Sequence, residues 1–335
     1  MIILLPNEVL ALSRANVEND YSPMTEQCYL LIEYQRCLTI EETSELSIWV
    51  RQLTCPVIMV VDADETDLLI SACDVCVTNF KEAELLVEKI DDHPIAATVF
   101  VQTLRATAQM PLEDAVTVES LAYTTLQTGP EYANWLVEHQ VDSPFQSTDE
   151  GEAVIIERDE NRVALTLNRA SNHNAMNVEM RDALIEALQR VLMDNSIISL
   201  QINGRGKCFS TGGDLTEFGS VPNLAIGHIV RSLAVPGRLL SRVTARIGKR
   251  CSVHLHGACV GSGMEFPAFA GRITAEPDTY FLLPEVGMGL IPGAGGCISI
   301  ARRIGRQRAA WLGLSGERMS AEQALSCGLV DEIVA

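Results

Sequence analysis

The amino-acid sequence predicts an α/β fold, and three observations carry that prediction. Short runs rich in Val, Ile and Leu alternate with longer segments of helical period along most of the chain. The strand-like runs are apolar on both faces, as strands buried between helices are. Glycine-rich turns join many of them in the second half.

Taken in order, "MIILLPNEVLALSRAN" is apolar, has neither a basic start nor a small-residue cleavage site, and so reads as a first β-strand rather than a signal peptide. "QCYLLIEYQ" and "CPVIMVVDAD" read as further strands, separated by a helix that opens on Thr39 with an acidic first turn. From Lys81 the period turns helical through "KEAELLVEKI", "PIAATVFVQTLRATAQ", "PLEDAVTVESLAYTTLQ" and "PEYANWLVEHQ". Pro94, Pro111 and Pro130 stand at three of the starts, where a missing N–H costs little. "VDSPFQSTDEGE" is polar and reads as a linker. The second half restarts with a hairpin, "EAVIIERDENRVALTLNR", followed by an amphipathic helix and the strand "ISLQING". A helical region, the strand "CSVHLHG", a glycine stretch with a helix, short strands and a long glycine loop follow, and the chain ends on helices.

Composition narrows the function. A chain of 335 residues with 47% hydrophobic side chains can build a substantial core, and length suggests two units. The net charge of −19 is uneven: residues 1–150 hold 26 acidic and 6 basic side chains, residues 151–335 hold 18 and 19. An acidic first half argues against nucleic acid and would repel a phosphate-bearing ligand, which should meet the second half. No apolar run approaches the roughly 18 residues of a membrane span. Ten scattered cysteines lack the spacing of a disulfide framework and point to a reduced, cytoplasmic protein. Cys73 and Cys76 have CxxC spacing but no second pair, so buried thiols are expected there and no metal.

Several motifs fail on inspection. In "GRGKCFSTGGDL" Lys207 precedes Cys208, so it is not a P-loop, and no GxGxxG follows a strand. Ser262 lacks the frame of a nucleophile elbow, because Val260 occupies the first glycine position. His254 and His256 alternate on a strand without a third ligand. "ARRIGRQR" could meet phosphate but suits a solvated helix face. What stands is a set of glycine clusters whose N–H groups could form an oxyanion hole, and two glutamates, Glu265 and Glu285, among apolar neighbours. Poor solvation would raise both pKa values into the range useful for acid/base work. Each could instead be a helix-start carboxylate or a buried salt-bridge partner.

Five stretches in a fixed order, "LNRASNHNAMN", "GRGKCFSTGGDL", "HGACVGSGMEF", "YFLLPEVGMGLIPGAGG" and "ARRIGRQRAAWLGLSGERMSAEQALSCGLVDEIV", resemble the enoyl-CoA hydratase/isomerase (crotonase) superfamily over nearly all of residues 151–335. The resemblance implies a crotonase-like ββα spiral core. It implies that the N–H groups of Gly213 and Ser262 hold the thioester oxygen of an acyl-CoA and stabilise an enolate. It places a water-activating base at Glu265 and the donor of the C2 proton at Glu285, making the four a catalytic set. It places bound acyl-CoA along Asn172, Ala175, Thr211, Gly212, Asp214, Gly261 and Gly293. Retention of both glutamates favours an enoyl-CoA hydratase of fatty acid metabolism, a lyase, over an isomerase or a hydrolase of a cyclic or branched acyl-CoA. No cofactor is implied beyond the coenzyme A carried by the substrate. A homo-oligomer, trimer or dimer of trimers, is implied, with no nucleic-acid or membrane partner. Ser262 where glycine is common, Leu283 two places before Glu285, and Pro267 after Glu265 depart from the family pattern and bear on the substrate.

Family members continue past the point matching "GLVDEIVA" into a helical tail, and residues 81–140 resemble that tail. The expectation is therefore that residues 1–146 are a degenerate crotonase-like unit whose helices dock on the catalytic core, residues 151–335, in the same chain or a neighbour.

Overall fold

A computed structural model describes residues 1–15, 17–139, 148–233 and 235–334. The first half contains α1 (Pro6–Arg14), β1 (Leu30–Glu33), α2 (Ile40–Gln52), β2 (Val57–Val60), α3 (Leu68–Ala72) and β3 (Val75–Val77). Four helices follow: α4 (Phe80–Asp92), α5 (Pro94–Thr107), α6 (Leu112–Leu126) and α7 (Pro130–Glu138). The second half begins β4 (Val154–Asp159), β5 (Arg162–Leu167), α8 (Val178–Met193), β6 (Ser199–Gly204), α9 (Leu224–Leu233) and α10 (Pro236–Ile247). It continues β7 (Cys251–Leu255), β8 (Ala258–Val260), α11 (Ser262–Glu265), β9 (Arg272–Ala275) and β10 (Tyr280–Leu282). The last elements are α12 (Gly296–Ile304), α13 (Arg306–Ser315), β11 (Met319–Ser320), α14 (Ala321–Cys327) and β12 (Glu332–Ile333).

Local chemistry explains most boundaries. Thr39 accepts from the Glu42 N–H while Glu42 reaches back to Thr39, a reciprocal cap that starts α2. Asn79 and Asn177 cap α4 and α8 in the same way from one side. Pro94 and Pro130 each open a helix at the first turn, and Pro111 stands one place earlier as the cap of α6. The expected first strand is corrected: only Leu4 bridges to Ile32, and α1 takes over at Pro6. Proline at the first helical position and Glu8, which accepts from the Leu5 N–H, favour a helix there. The expected helix after the glycine stretch is a single turn, α11, because Pro267 follows closely. The expected linker lies largely outside the described residues, at 141–147.

Three sheets organise these elements. A six-stranded sheet runs β12-β9-β7-β6-β5-β4, parallel throughout except for the β4–β5 hairpin. A three-stranded sheet, β11-β10-β8, leads at the ends of β8 and β10 into the turns at Gly261 and Glu285. The third, β1-β2-β3, is parallel and lies in the first half.

That third sheet divides two cores by its side-chain period. Leu30, Ile32, Val57 and Met59 face a small core shared with α1, α2 and α3. Leu31, Ile58, Val75 and Val77 face the opposite way, into a large core. This large core unites Phe100, Leu104, Ala115, Leu126 and Tyr132 of the first-half helices with the sheets of the second half. Phe100 packs on Gly313 of α13, where an added Cβ would meet its ring at 2.5 Å. A buried ion cluster ties the same contact. Asp74 accepts from Arg105 Nε and from Arg306 Nη1, each at 2.8 Å, and from the Val57 N–H at 2.9 Å. The basic run at α12 and α13 is split: Arg302 and Arg308 stay exposed, as a solvated face would, while Arg303 and Arg306 are partly buried. Arg302 bonds the Met110 carbonyl, Arg303 the Ala268 carbonyl, and Arg306 the Cys73 carbonyl. All ten cysteines are free, and Cys73 is buried, its thiol pushed well up by desolvation. No helix among the described residues is long and apolar enough to cross a membrane.

Candidate active site

Two glycine turns lie side by side where β8 ends. Gly212 has φ +88°, and a Cβ there would sit 2.6 Å from the Val260 carbonyl and 3.6 Å from Gly261 Cα. Only glycine accepts both that dihedral and that approach. The turns are pinned by short backbone bonds: Met176 N–H donates to Gly212, Asp214 N–H to Met176, and Gly261 N–H to Leu282. Among the described residues, the N–H groups of Gly213 and of Ser262, the first residue of α11, have no acceptor. Two free donors on adjacent turns are the arrangement an oxyanion requires. The Ser262 Oγ is buried without a partner, and no histidine bonds it, so no Ser–His pair forms there.

Glu265 closes α11 and is only 2% exposed. Its Oε2 accepts from the N–H groups of Ala294 and Gly296, at 2.8 and 2.9 Å, while Oε1 takes no hydrogen bond among the described residues. Burial pushes the carboxyl up to about 7, against the pull of the two N–H bonds and of Arg231. Glu285 follows β10, and its Oε2 is buried without a partner. Desolvation first, then the charges of Glu265 and Glu119, hold its carboxyl well above the usual range. A Cβ on Gly261 would stand 2.5 Å from Glu285 Oε1. The oxyanion turn and this carboxylate are thus in contact.

The sequence reading missed a third carboxylate. Glu119, on α6, is 1% exposed and reaches the same turn: Oε1 accepts from Gly295 N–H at 2.7 Å, Oε2 from Cys297 N–H at 2.8 Å. Burial, and then the charge of Glu265, push it up to about 8. Tyr123, one turn further along α6, lies on Gly293, where a Cβ would meet its ring at 2.5 Å. Arg231 of α9 stands 4.2 Å over that ring and donates to Thr124 Oγ1 at 3.1 Å. Phe218 covers Gly213 and meets Trp135 of α7, while Tyr132 accepts from the Gly219 N–H. The signal for Glu119 was a glutamate on the stripe shared with buried Ala115 and Val116.

The remaining expected contacts are built as follows. Asn172 donates to Asp214 Oδ2 at 3.0 Å, and Asp214 Oδ1 accepts from Thr216, so both side chains brace the two loops. Thr211 N–H donates to His173, and Ala175 is buried beside the bridge from Met176 to Gly213. Asn174, which the sequence reading passed over, is fully buried with φ +52°. It donates to the carbonyls of Arg205, Cys208 and Phe209 and accepts from Arg169 N–H, clamping the first loop to the second. His254 is taken up by Thr274. No cluster of metal-ligating side chains occurs among the described residues.

Known proteins resemble this chain. Residues 157–335 match the family model described as Enoyl-CoA hydratase/isomerase. The 2,3-dehydroadipyl-CoA hydratase of Escherichia coli K12 is 31% identical over 180 residues, which are 54% of this chain and 68% of that protein. The trans-2-decenoyl-acyl-carrier-protein isomerase of Streptococcus mutans is 32% identical over 172 residues, and this chain spans only 64% of its length. A crystal structure of enoyl-CoA hydratase subunit I from Geobacillus kaustophilus superposes with a TM-score of 0.50 at 25% identity, over 55% of this chain and 69% of that one.

Proposed function

Because the chain belongs to the enoyl-CoA hydratase/isomerase family and has its α/β crotonase-like fold, we propose that it is an enoyl-CoA hydratase, a lyase adding water across the C2=C3 bond of a 2-enoyl-CoA thioester. The observation that carries the choice is the pair of poorly solvated glutamates in different electrostatic surroundings beside two free N–H donors. Glu265 is the more easily ionised, because two N–H bonds and Arg231 favour its carboxylate. Its free Oε1 takes a proton from water attacking C3. Charge then develops on the thioester oxygen, where the Gly213 and Ser262 N–H groups meet it. Glu285, held protonated by desolvation and by its acidic neighbours, delivers the proton to C2. The acyl-CoA runs over the loops at Asn172 to Ala175 and Thr211 to Asp214, past Gly261, with its acyl end towards Gly293 and Tyr123.

The same proposal extends to the chain as a whole. The helices from Phe80 to Glu138 resemble the family's C-terminal helices and dock on the catalytic core, and residues 1–146 form a degenerate crotonase-like unit. Their shared core with the second half and the reach of Glu119 support this. The reading also carries a homo-oligomer acting in cytoplasmic fatty acid metabolism, with no cofactor beyond the substrate's own coenzyme A. An isomerase is the second reading, since relatives of both names match and a single carboxylate can shuttle a proton between C2 and C4.

Loss of enoyl absorbance on incubation with crotonyl-CoA supports hydration, whereas double-bond migration without water uptake supports the isomerase. Glu265→Gln and Glu285→Gln should each lower kcat by about 100-fold or more, the scale of losing a general acid or base. A near-normal rate in either variant removes that glutamate from the mechanism.

A further inference from the structure

The turn from Ala294 to Cys297 offers four successive N–H groups, and two carboxylates divide them alternately. Glu265 Oε2 takes those of Ala294 and Gly296, and Glu119 takes those of Gly295 and Cys297. The division depends on Gly295 standing at φ +104°, which turns its N–H away from its neighbours'. Glu119 engages both oxygens in this grip and is 1% exposed. Removing it would leave two buried N–H groups without acceptors at the point that holds Glu265. Two elements from opposite halves of the chain, α6 and α11, therefore orient one turn together.

We propose that Glu119 is a positioning residue for the reaction, supplied by the first half of the chain. It holds the 294–297 turn so that Glu265 is gripped by Oε2 alone and presents Oε1 to the reacting water. This rests on the reading of Glu265 as the base. The other groups facing Glu119 are Glu285, the Cys297 thiol, Arg231 and Tyr123, with His228 bonded to Ser120 beside it. Arg238 and Arg242 are held by Glu113 at the far end of α6. Among the described side chains, Glu119 is the one that shares the N–H groups of this turn with Glu265.

The test is kcat and KM for crotonyl-CoA hydration in the full chain, comparing wild type, Glu119→Gln, Glu119→Asp and Glu265→Gln. Glutamine keeps the shape but faces one N–H with its own amide. Its kcat should fall about 10- to 100-fold, the cost of misplacing a catalytic group. KM should stay close to wild type, because the turn aims the base and does not hold the thioester. Aspartate keeps both acceptors but withdraws them by one methylene, so kcat should fall while KM stays in place. This variant also decides the matter if the glutamine protein does not fold. A wild-type kcat in Glu119→Asp, or a lowered kcat matched by a rise in KM, overturns the proposal. If Glu265→Gln is itself fully active, the reading of the base fails and the proposal with it. If Glu265→Gln is inactive and both Glu119 variants behave as wild type, only the proposal for Glu119 fails.

Discussion

Replacing Glu265 by glutamine should stabilise the fold at alkaline pH while abolishing the chemistry. Burial moves this carboxyl from 4.5 to about 7, so the folded protein binds its proton more tightly than the unfolded chain does. Stability is then fully present below the unfolded value and falls as pH rises towards the folded one. At about 1.4 kcal/mol per unit, the ionised group costs the native state up to ~3 kcal/mol above neutrality. Glutamine removes that cost and keeps an oxygen for the Ala294 and Gly296 N–H groups. Its NH2 group replaces Oε1, which has no partner among the described residues, so about 1 kcal/mol should be deducted. The gain expected at about pH 8 is ~1–3 kcal/mol, fading towards zero at about pH 4.5. Relief of Glu119 and Glu285, which share the pocket, acts in the same direction. Denaturant midpoints of both proteins at about pH 5 and pH 8 measure it. A variant no more stable than wild type at the higher pH, or equally more stable at both, refutes the reasoning.

Two further predictions concern the joint between the halves. Asp74→Ala leaves Arg105 and Arg306 without their buried carboxylate and should cost about 3–5 kcal/mol, read as a lowered denaturant midpoint; a loss under ~1 kcal/mol would show that the joint is held elsewhere. Residues 148–335 expressed alone should lack both the first-half part of the large core and Glu119, and should yield insoluble or inactive protein; a soluble, active product of native oligomeric size contradicts the docking of the first half.

Legibility in the sequence followed the range of the interactions. The glycine turns and Glu265 lie within one short segment, "GSGME", where local spacing carries the geometry. Glu285 stood out because an isolated carboxylate in "FLLPEVGMG" has no local partner. The α2 helix was readable from Thr39 and Glu42, which cap it within four residues. The first segment misled because its apolar run is shared between one bridging residue, Leu4, and a helix begun by Pro6. Glu119 was hidden for the opposite reason. Its partners are 176 and 178 positions away, and only its place on a buried stripe marks it. "ARRIGRQR" was legible only in part: Arg302 and Arg308 are exposed, but the acceptors of Arg303 and Arg306 are main-chain carbonyls and Asp74, which no pattern in the run itself reveals.

The charge balance at the turn explains why α6 brings more than a carboxylate. The N-terminus of α12 carries the equivalent of about half a positive charge, too little to offset both Glu265 and Glu119 when ionised. A further cation is needed, and Arg231 is the one whose field lowers the Glu265 carboxyl. Its guanidinium has no carboxylate within ion-pair distance among the described residues. It is held by the Tyr123 ring and by Thr124 Oγ1, both on the helix that carries Glu119. The element that grips the 294–297 turn through Glu119 thus also seats the cation that favours ionisation of Glu265. Tyr123→Ala would then unseat Arg231 and leave two buried carboxylates facing one helix end. The ionisation of Glu265 is in this way a property of α6 as much as of α11, because the cation that favours it is seated by the acidic half of the chain.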